Sequence, residues 1–120
     1  MTTLFSDPDA PRIKELMTLP TDPQELAIAQ ADSVWALGAT GKFVWPIPDK
    51  GLKNRLHRIT APTLIVWGEH DRLIPSVYAQ EFAERIADAR VEIVEGSGHV
   101  PQWEQLETVA PLVLDFLNGT

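Results

Sequence analysis

Two short apolar runs constrain this chain more than anything else in it. "APTLIVWG" ends at Gly68 and "RVEIVEG" ends at Gly96; both are rich in β-prone residues and closed by glycine. Thr63, Leu64, Ile65, Val66 and Trp67 show no polar alternation, the pattern of a strand covered on both faces. Between the runs, "SVYAQEFAERIADA" reads as a helix with Tyr78, Phe82 and Ile86 on one face and Glu81, Glu84 and Arg85 more exposed. After the second run, "TVAPLVLDFLNG" reads as a closing helix. Thr108 is its expected cap, Pro111 falls in the first turn, and Val109, Val113, Phe116 and Leu117 form the apolar face. The order strand, helix, strand, helix predicts parallel strands with a right-handed crossover. Two such strands cannot make a complete parallel sheet, which needs more strands and helices on both faces. The expectation is an α/β fold in which this segment is the edge of a larger sheet. A missing part of the chain, another chain or a second copy would complete it.

Residues 1–50 have a different character. "DPDAPRIKELM" can form a short helix. "TDPQELAIAQADSVWALG" predicts a longer one, with Asp22 as N-cap, Pro23 at the first position, Glu25 completing a capping box and Gly38 as its stop. The following "GATGKFVWPIPDKG" reads as a loop that exposes Phe43, Trp45 and Ile47. The composition changes near Gly51, where "LKNRLHRI" places Leu52, Leu56 and Ile59 at helical spacing. The chain thus divides into a helix-and-loop segment, 1–50, and an alternating α/β segment, 51–120.

Composition excludes several function classes. With 120 residues, 44% of them hydrophobic, the chain can bury the core of one domain. A net charge of −7 argues against a nucleic-acid partner, which calls for a basic patch. The absence of cysteine removes disulfides, thiolate nucleophiles and cysteine zinc sites. The first residues lack the basic start and apolar run of a signal peptide, and no apolar run approaches the roughly 18 residues of a membrane span. The expectation is a cytoplasmic chain without membrane attachment, cofactor or metal.

The chemistry concentrates just past the two strands. In open α/β sheets, ligands bind beyond the carboxyl ends of the strands. Asp71 follows the first strand in "VWGEHDRLIP" and His99 follows the second in "VEIVEGSGHVP", so both belong to the reactive edge. A carboxylate behind an imidazole fixes its tautomer and stabilises the imidazolium formed when it takes a proton. Glu69 and His70 read as solvated neighbours of the acid rather than metal ligands. His57 reads as a surface residue, and Ser97 as a loop serine rather than a nucleophile. Trp45, Trp67 and Trp103 are candidates to line a substrate pocket. Trp67 fits the core better, and Trp45 stands between packing and substrate contact.

"PTLIVWGEHDRLIP" and "VEIVEGSGHVPQWEQ" resemble the two C-terminal motifs of the α/β-hydrolase superfamily, in order and spacing, over roughly residues 52–118. That resemblance implies Asp71 as the triad acid and His99 as the general base. "LKNRLHRITAP" resembles the family's lead-in from the cap, which would make residues 1–50 the end of a helical cap over a small-molecule substrate. Glu104 falls where the family carries an acid near the helix, with a structural role. The departure is the nucleophile. The family sets it in a G-x-S-x-G elbow, and none of Ser6, Ser33, Ser76 and Ser97 has that context.

Three functions follow as expectations. The first is the C-terminal portion of a hydrolase that acts on a carboxylic ester or related carbon-centred bond, with its serine upstream. The second is a non-catalytic remnant that forms a homodimer or associates with a partner, such as the missing N-terminal half. The third is a dehalogenase- or epoxide-hydrolase-like enzyme with an upstream aspartate as nucleophile. In each case the isolated chain should be inactive or nearly so, because triad members act as a unit.

Overall fold

A computed structural model describes residues 3–45 and 49–119. By contact the chain divides into two units. One joins residues 1–16 to 52–120, and the other is residues 17–51. One boundary falls at Leu16, so the first residues cluster with the α/β segment.

In the first unit, strand β1 (Thr63–Gly68) and strand β2 (Ala89–Val94) pair in parallel, with Thr63 opposite Ala89 and Gly68 opposite Val94. The expected α/β order holds, and among the described residues the sheet has these two strands. Residues Thr63 to Trp67 are half-buried rather than covered on both faces; only Gly68 is fully buried.

Helix α1 (Pro11–Met17) precedes the sheet and buries Ile13. Helix α3 (Val77–Ala83) crosses between the strands and is shorter than its apolar spacing predicted. Arg85 and Ile86 close tight turns onto Phe82, and the chain then extends so that Asp88 accepts the N–H of Thr63 at 2.8 Å. Sheet pairing therefore begins where the helix was expected to continue. Of the expected apolar face, Ile86 is buried and Phe82 half-buried, with Ala79 fully buried beside them, while Tyr78 is 48% exposed. The "LKNRLHRI" run forms two 3₁₀ turns, Leu52–Asn54 and Leu56–Arg58, in place of a helix, and only Leu56 is buried.

After β2 comes a short helix, α4 (Pro101–Glu104), which the sequence reading missed. Helix α5 (Leu106–Asn118) follows directly, so Thr108 lies inside it and does not cap it. Pro111 consequently sits beyond the first turn, inside the helix, where it removes one i→i−4 hydrogen bond. Of the predicted apolar face, Val109 is buried and Phe116 half-buried, while Leu117 is 73% exposed.

The second unit is built on helix α2 (Pro23–Val44). Asp22 caps it as expected, accepting the N–H groups of Gln24 and Glu25 at 2.9 and 3.0 Å. Among the described residues the Glu25 carboxylate does not accept the Asp22 N–H, so the return bond of a capping box is missing. The helix does not stop at Gly38. It runs through Gly38 and Gly41, both of which keep ordinary right-handed backbone. The stop comes at Trp45, where φ −92° and ψ 140° are extended, because a residue before proline is pushed out of the helical region. Phe43 is therefore helical, although exposed, and Ile47 lies outside the described residues. Among the described residues, no helix is long and apolar enough to cross a membrane.

A Cβ at Gly38 or Gly41 would meet nothing within 4 Å. Alanine at either position should therefore stabilise α2 by about 1 kcal/mol, the usual helix preference for alanine over glycine. Far-ultraviolet circular dichroism through a thermal melt should show higher helicity in the double variant; lower helicity would mean that the glycines serve a bend.

Candidate active site

The two strand ends are drawn together past the last sheet residues. Glu69 N–H donates to the Val94 carbonyl at 3.0 Å and His70 N–H to the Ser97 carbonyl at 2.8 Å. Gly68 permits this approach. A Cβ there would collide with the carbonyl oxygen of Gly98 and stand 2.7 Å from that of Ser97. Gly96, at φ +65°, turns the second loop in the left-handed region that favours glycine. The Glu69 carboxylate accepts the Gly96 N–H at 3.2 Å and lies 3.6 Å from the His70 ring, so Glu69 ties the loops together and is more than a solvated neighbour.

Asp71 and His99, 28 residues apart in sequence, meet here. Asp71 Oδ2 lies 2.9 Å from His99 Nδ1. The other carboxylate oxygen accepts the N–H groups of Leu73 and Ile74, each at 2.9 Å. The turn from Asp71 to Ile74 is braced from behind, since the Trp67 indole N–H donates to the Ile74 carbonyl at 3.0 Å. Trp67 also packs on Phe82 with ring centroids 6.3 Å apart, so its expected core role includes holding the acid's turn.

The Asp71 side chain is 4% exposed, whereas the His99 side chain is 31% exposed. Burial works against the charge on Asp71. Hydrogen bonds from Ile74, the His99 ring and Leu73, with the attraction of a charged ring, outweigh it and hold the carboxyl below its usual range. An ionised carboxylate only accepts, so Nδ1 carries a proton in this pair, and whenever the ring is neutral Nε2 keeps the lone pair. Among the described residues, nothing hydrogen-bonds to Nε2. The ring lines a cavity of about 170 Å³ with Val66, Trp67, Gly68, Asp71, Ile74 and Pro101.

The remaining candidates separate clearly. Ser97 is fully buried and its hydroxyl donates to the Val94 carbonyl at 2.9 Å, which makes it part of the loop's framework. The Ser6 and Ser33 hydroxyls likewise donate to backbone carbonyls, of Gly96 and Ala29. His57 is exposed. Trp45 is 74% exposed in the unit of residues 17–51, and Trp103 is 43% exposed. Among the described residues, no three His, Asp or Glu side chains converge as metal ligands would. The sequence reading missed the part played by Leu4 to Ser6. The Leu4 carbonyl accepts the His99 N–H at 2.7 Å, and Ser6 N–H donates to Glu104 at 2.6 Å. Each uses main chain of Leu4 or Ser6 across most of the chain, the first meeting backbone at His99 and the second the Glu104 carboxylate, so no pattern in the side chains of Leu4 to Ser6 announces them.

The carboxylate-backed imidazole therefore lies beyond the carboxyl ends of two parallel strands, the edge at which open α/β sheets bind ligands. The chain matches the alpha/beta hydrolase family over residues 2–112 and belongs to it. It is 43% identical over 71 residues to a 2-hydroxy-6-oxononadienedioate/2-hydroxy-6-oxononatrienedioate hydrolase of Pseudomonas putida, covering 59% of this chain and 24% of that protein. It is 35% identical over 73 residues to a 2-hydroxy-6-oxo-6-phenylhexa-2,4-dienoate hydrolase of Comamonas testosteroni, covering 61% of this chain and 26% of that protein. Among solved structures, a bacterial membrane phospholipase A matches 98% of this chain and 36% of its own length, with TM-score 0.65 and 26% identity. The matched region thus spans about a quarter of the length of these curated relatives.

Two consequences of the Asp71 environment can be measured. Its carboxyl is held below the usual range in the folded chain, so its contribution to stability is complete above the ordinary aspartate pKa of about 3.9. It is lost as pH falls through the lower folded value. Urea unfolding from pH 7 downward should show this loss, and Asp71→Asn should remove that part of the pH dependence. Asp71→Ala should cost about 1–3 kcal/mol at pH 7, because the Leu73 and Ile74 N–H groups lose their acceptor. An unchanged urea midpoint would contradict the assignment.

Proposed function

We propose that this chain supplies the acid, Asp71, and the general base, His99, of a hydrolase acting on a carbon-centred bond of a small-molecule substrate. The nucleophile comes from residues outside this sequence. The observation that carries the reading is the 2.9 Å contact between Asp71 Oδ2 and His99 Nδ1, with the opposite ring nitrogen unengaged. In this reading Nε2 takes the proton of an attacking hydroxyl and Asp71 stabilises the imidazolium. The proton then passes to the leaving group. The lack of a G-x-S-x-G sequence and the framework roles of Ser6, Ser33 and Ser97 support an outside nucleophile.

The relatives favour one substrate class, the 2-hydroxy-6-oxo-dienoates in their names. In such a molecule the 6-oxo carbon is bonded only to carbon on either side, so water must be added across a carbon–carbon bond. The broken bond's electron pair can move through the conjugated chain to the oxygen at C2 once C5 has gained a proton. Nucleophilic attack at C6 then releases a carboxylic acid and a dienol. His99 is the proton carrier this sequence offers. Ester hydrolysis is the second reading, favoured by the likeness to a phospholipase A. The unpaired edge of β1 is the place where the rest of a sheet, or a second copy of this chain, would join.

The test is a fusion in which the part of the Pseudomonas putida relative preceding the matched region is joined to this chain. Loss of dienoate absorbance reports carbon–carbon cleavage, and a nitrophenyl ester reports the second reading. Asp71→Ala and His99→Ala should each lower kcat about a thousandfold or more. Turnover at full rate in both variants would overturn the proposal.

A further inference from the structure

The mechanism uses one carboxylate of this site and leaves another unexplained. Glu104, on α4, makes no ion pair among the described residues. Its two oxygens are both engaged by backbone N–H groups. Oε1 accepts from Gly98 at 2.7 Å and Oε2 from Ser6 at 2.6 Å. Hydrogen bonds to an ionised acceptor at these lengths are about twice as strong as neutral ones. The two donors belong to segments that touch. The His99 N–H donates to the Leu4 carbonyl at 2.7 Å, and the Ser6 hydroxyl to the Gly96 carbonyl at 2.5 Å. A Cβ on Gly98 would stand 2.6 Å from the Leu4 carbonyl and 2.9 Å from the Ser6 nitrogen, so only glycine fits between them.

That glycine creates a need. Gly98 immediately precedes the base, and with no side chain its backbone has more rotational freedom than any other residue. A small rotation there would swing the His99 ring away from Asp71. Glu104 supplies the restraint that the missing side chain cannot. It holds the Gly98 N–H directly and pins Ser6 against the same loop.

We propose that Glu104 is a positioning residue for His99, clamping the Gly98 peptide so that the ring stays in register with Asp71. This rests on the reading of His99 as the base. It predicts an effect on the proton-transfer geometry rather than on substrate binding.

The experiment is nuclear magnetic resonance on the isotope-labelled full chain, comparing solvent exchange of the His99 Nδ1 proton, the Gly98 amide and the β2 amides. In Glu104→Ala the Nδ1 proton and the Gly98 amide should exchange about tenfold faster while the β2 amides keep their rates, as expected for local opening. Glu104→Gln, which retains one acceptor oxygen, should fall between the two. A Nδ1 proton exchanging at the original rate in Glu104→Ala would overturn the proposal, as would an equal acceleration of the β2 amides, which is the mark of general destabilisation. If Glu104→Ala does not fold, Glu104→Gln decides by the same criteria. In the fused enzyme, Glu104→Gln should lower kcat and leave KM unchanged; the reverse pattern counts against the clamp. A fused enzyme without turnover bears on the reading of the site, and the ring-proton exchange still decides the role of Glu104.

Discussion

The close approach of two backbones at Gly68 and Gly98 governs the rest of this structure. Strands in a parallel pair lie about 4.8 Å apart, and their following loops would normally diverge behind their first side chains. Here the side chains are missing where divergence would begin. Gly68 admits the Ser97 and Gly98 carbonyls, and Gly98 in turn admits the backbone of Leu4 and Ser6. Three stretches of main chain are thereby stacked without side chains between them. Hydrogen bonds from His70 to Ser97 and from His99 to Leu4 then fix their spacing. The Asp71–His99 bond is a product of that stacking.

Each member of the pair is held by a different kind of brace. Asp71 is fixed by its own turn, whose Leu73 and Ile74 N–H groups point at one carboxylate oxygen, with Trp67 behind them. This environment favours the ionised form through short-range donors, against the opposing effect of burial. His99 has no comparable turn of its own, and its placement comes from the backbone on either side. Asp71 is thus a buried fixed charge and His99 a partly exposed ring.

Much of this was legible in the sequence because it was written in side chains. The unbroken run from Thr63 to Trp67, the glycine at each strand end, and an acid and a histidine just beyond led to the parallel α/β reading. They also singled out the two residues found in contact. The misreadings have physical causes. Gly38 looked like a helix stop, but glycine ends a helix only when the backbone turns left-handed there. Pro46 imposed the end several residues later by excluding the helical region at Trp45. Thr108 looked like a cap because α4 was not anticipated and the chain was already helical when it arrived. The contacts of Leu4 to Ser6 were invisible because each has main chain at one end at least, and main chain carries no sequence signature.

The span of the Ser6–Glu104 bond has a consequence for the order of assembly. Its partners are separated by 98 residues. Closing so long a loop carries an entropic penalty that grows with the logarithm of its length, and contacts of that separation form slowly. During synthesis, Ser6 leaves the ribosome long before Glu104 exists. The strand pairing and the Asp71 turn draw on nearer neighbours and can form without Ser6. The loop that bears His99 acquires its final restraint only when the two ends of the chain have met. Loop-closure entropy thus places the Ser6–Glu104 contact after the strand pairing, so the Asp71 turn can be complete before the loop bearing His99 is fully restrained.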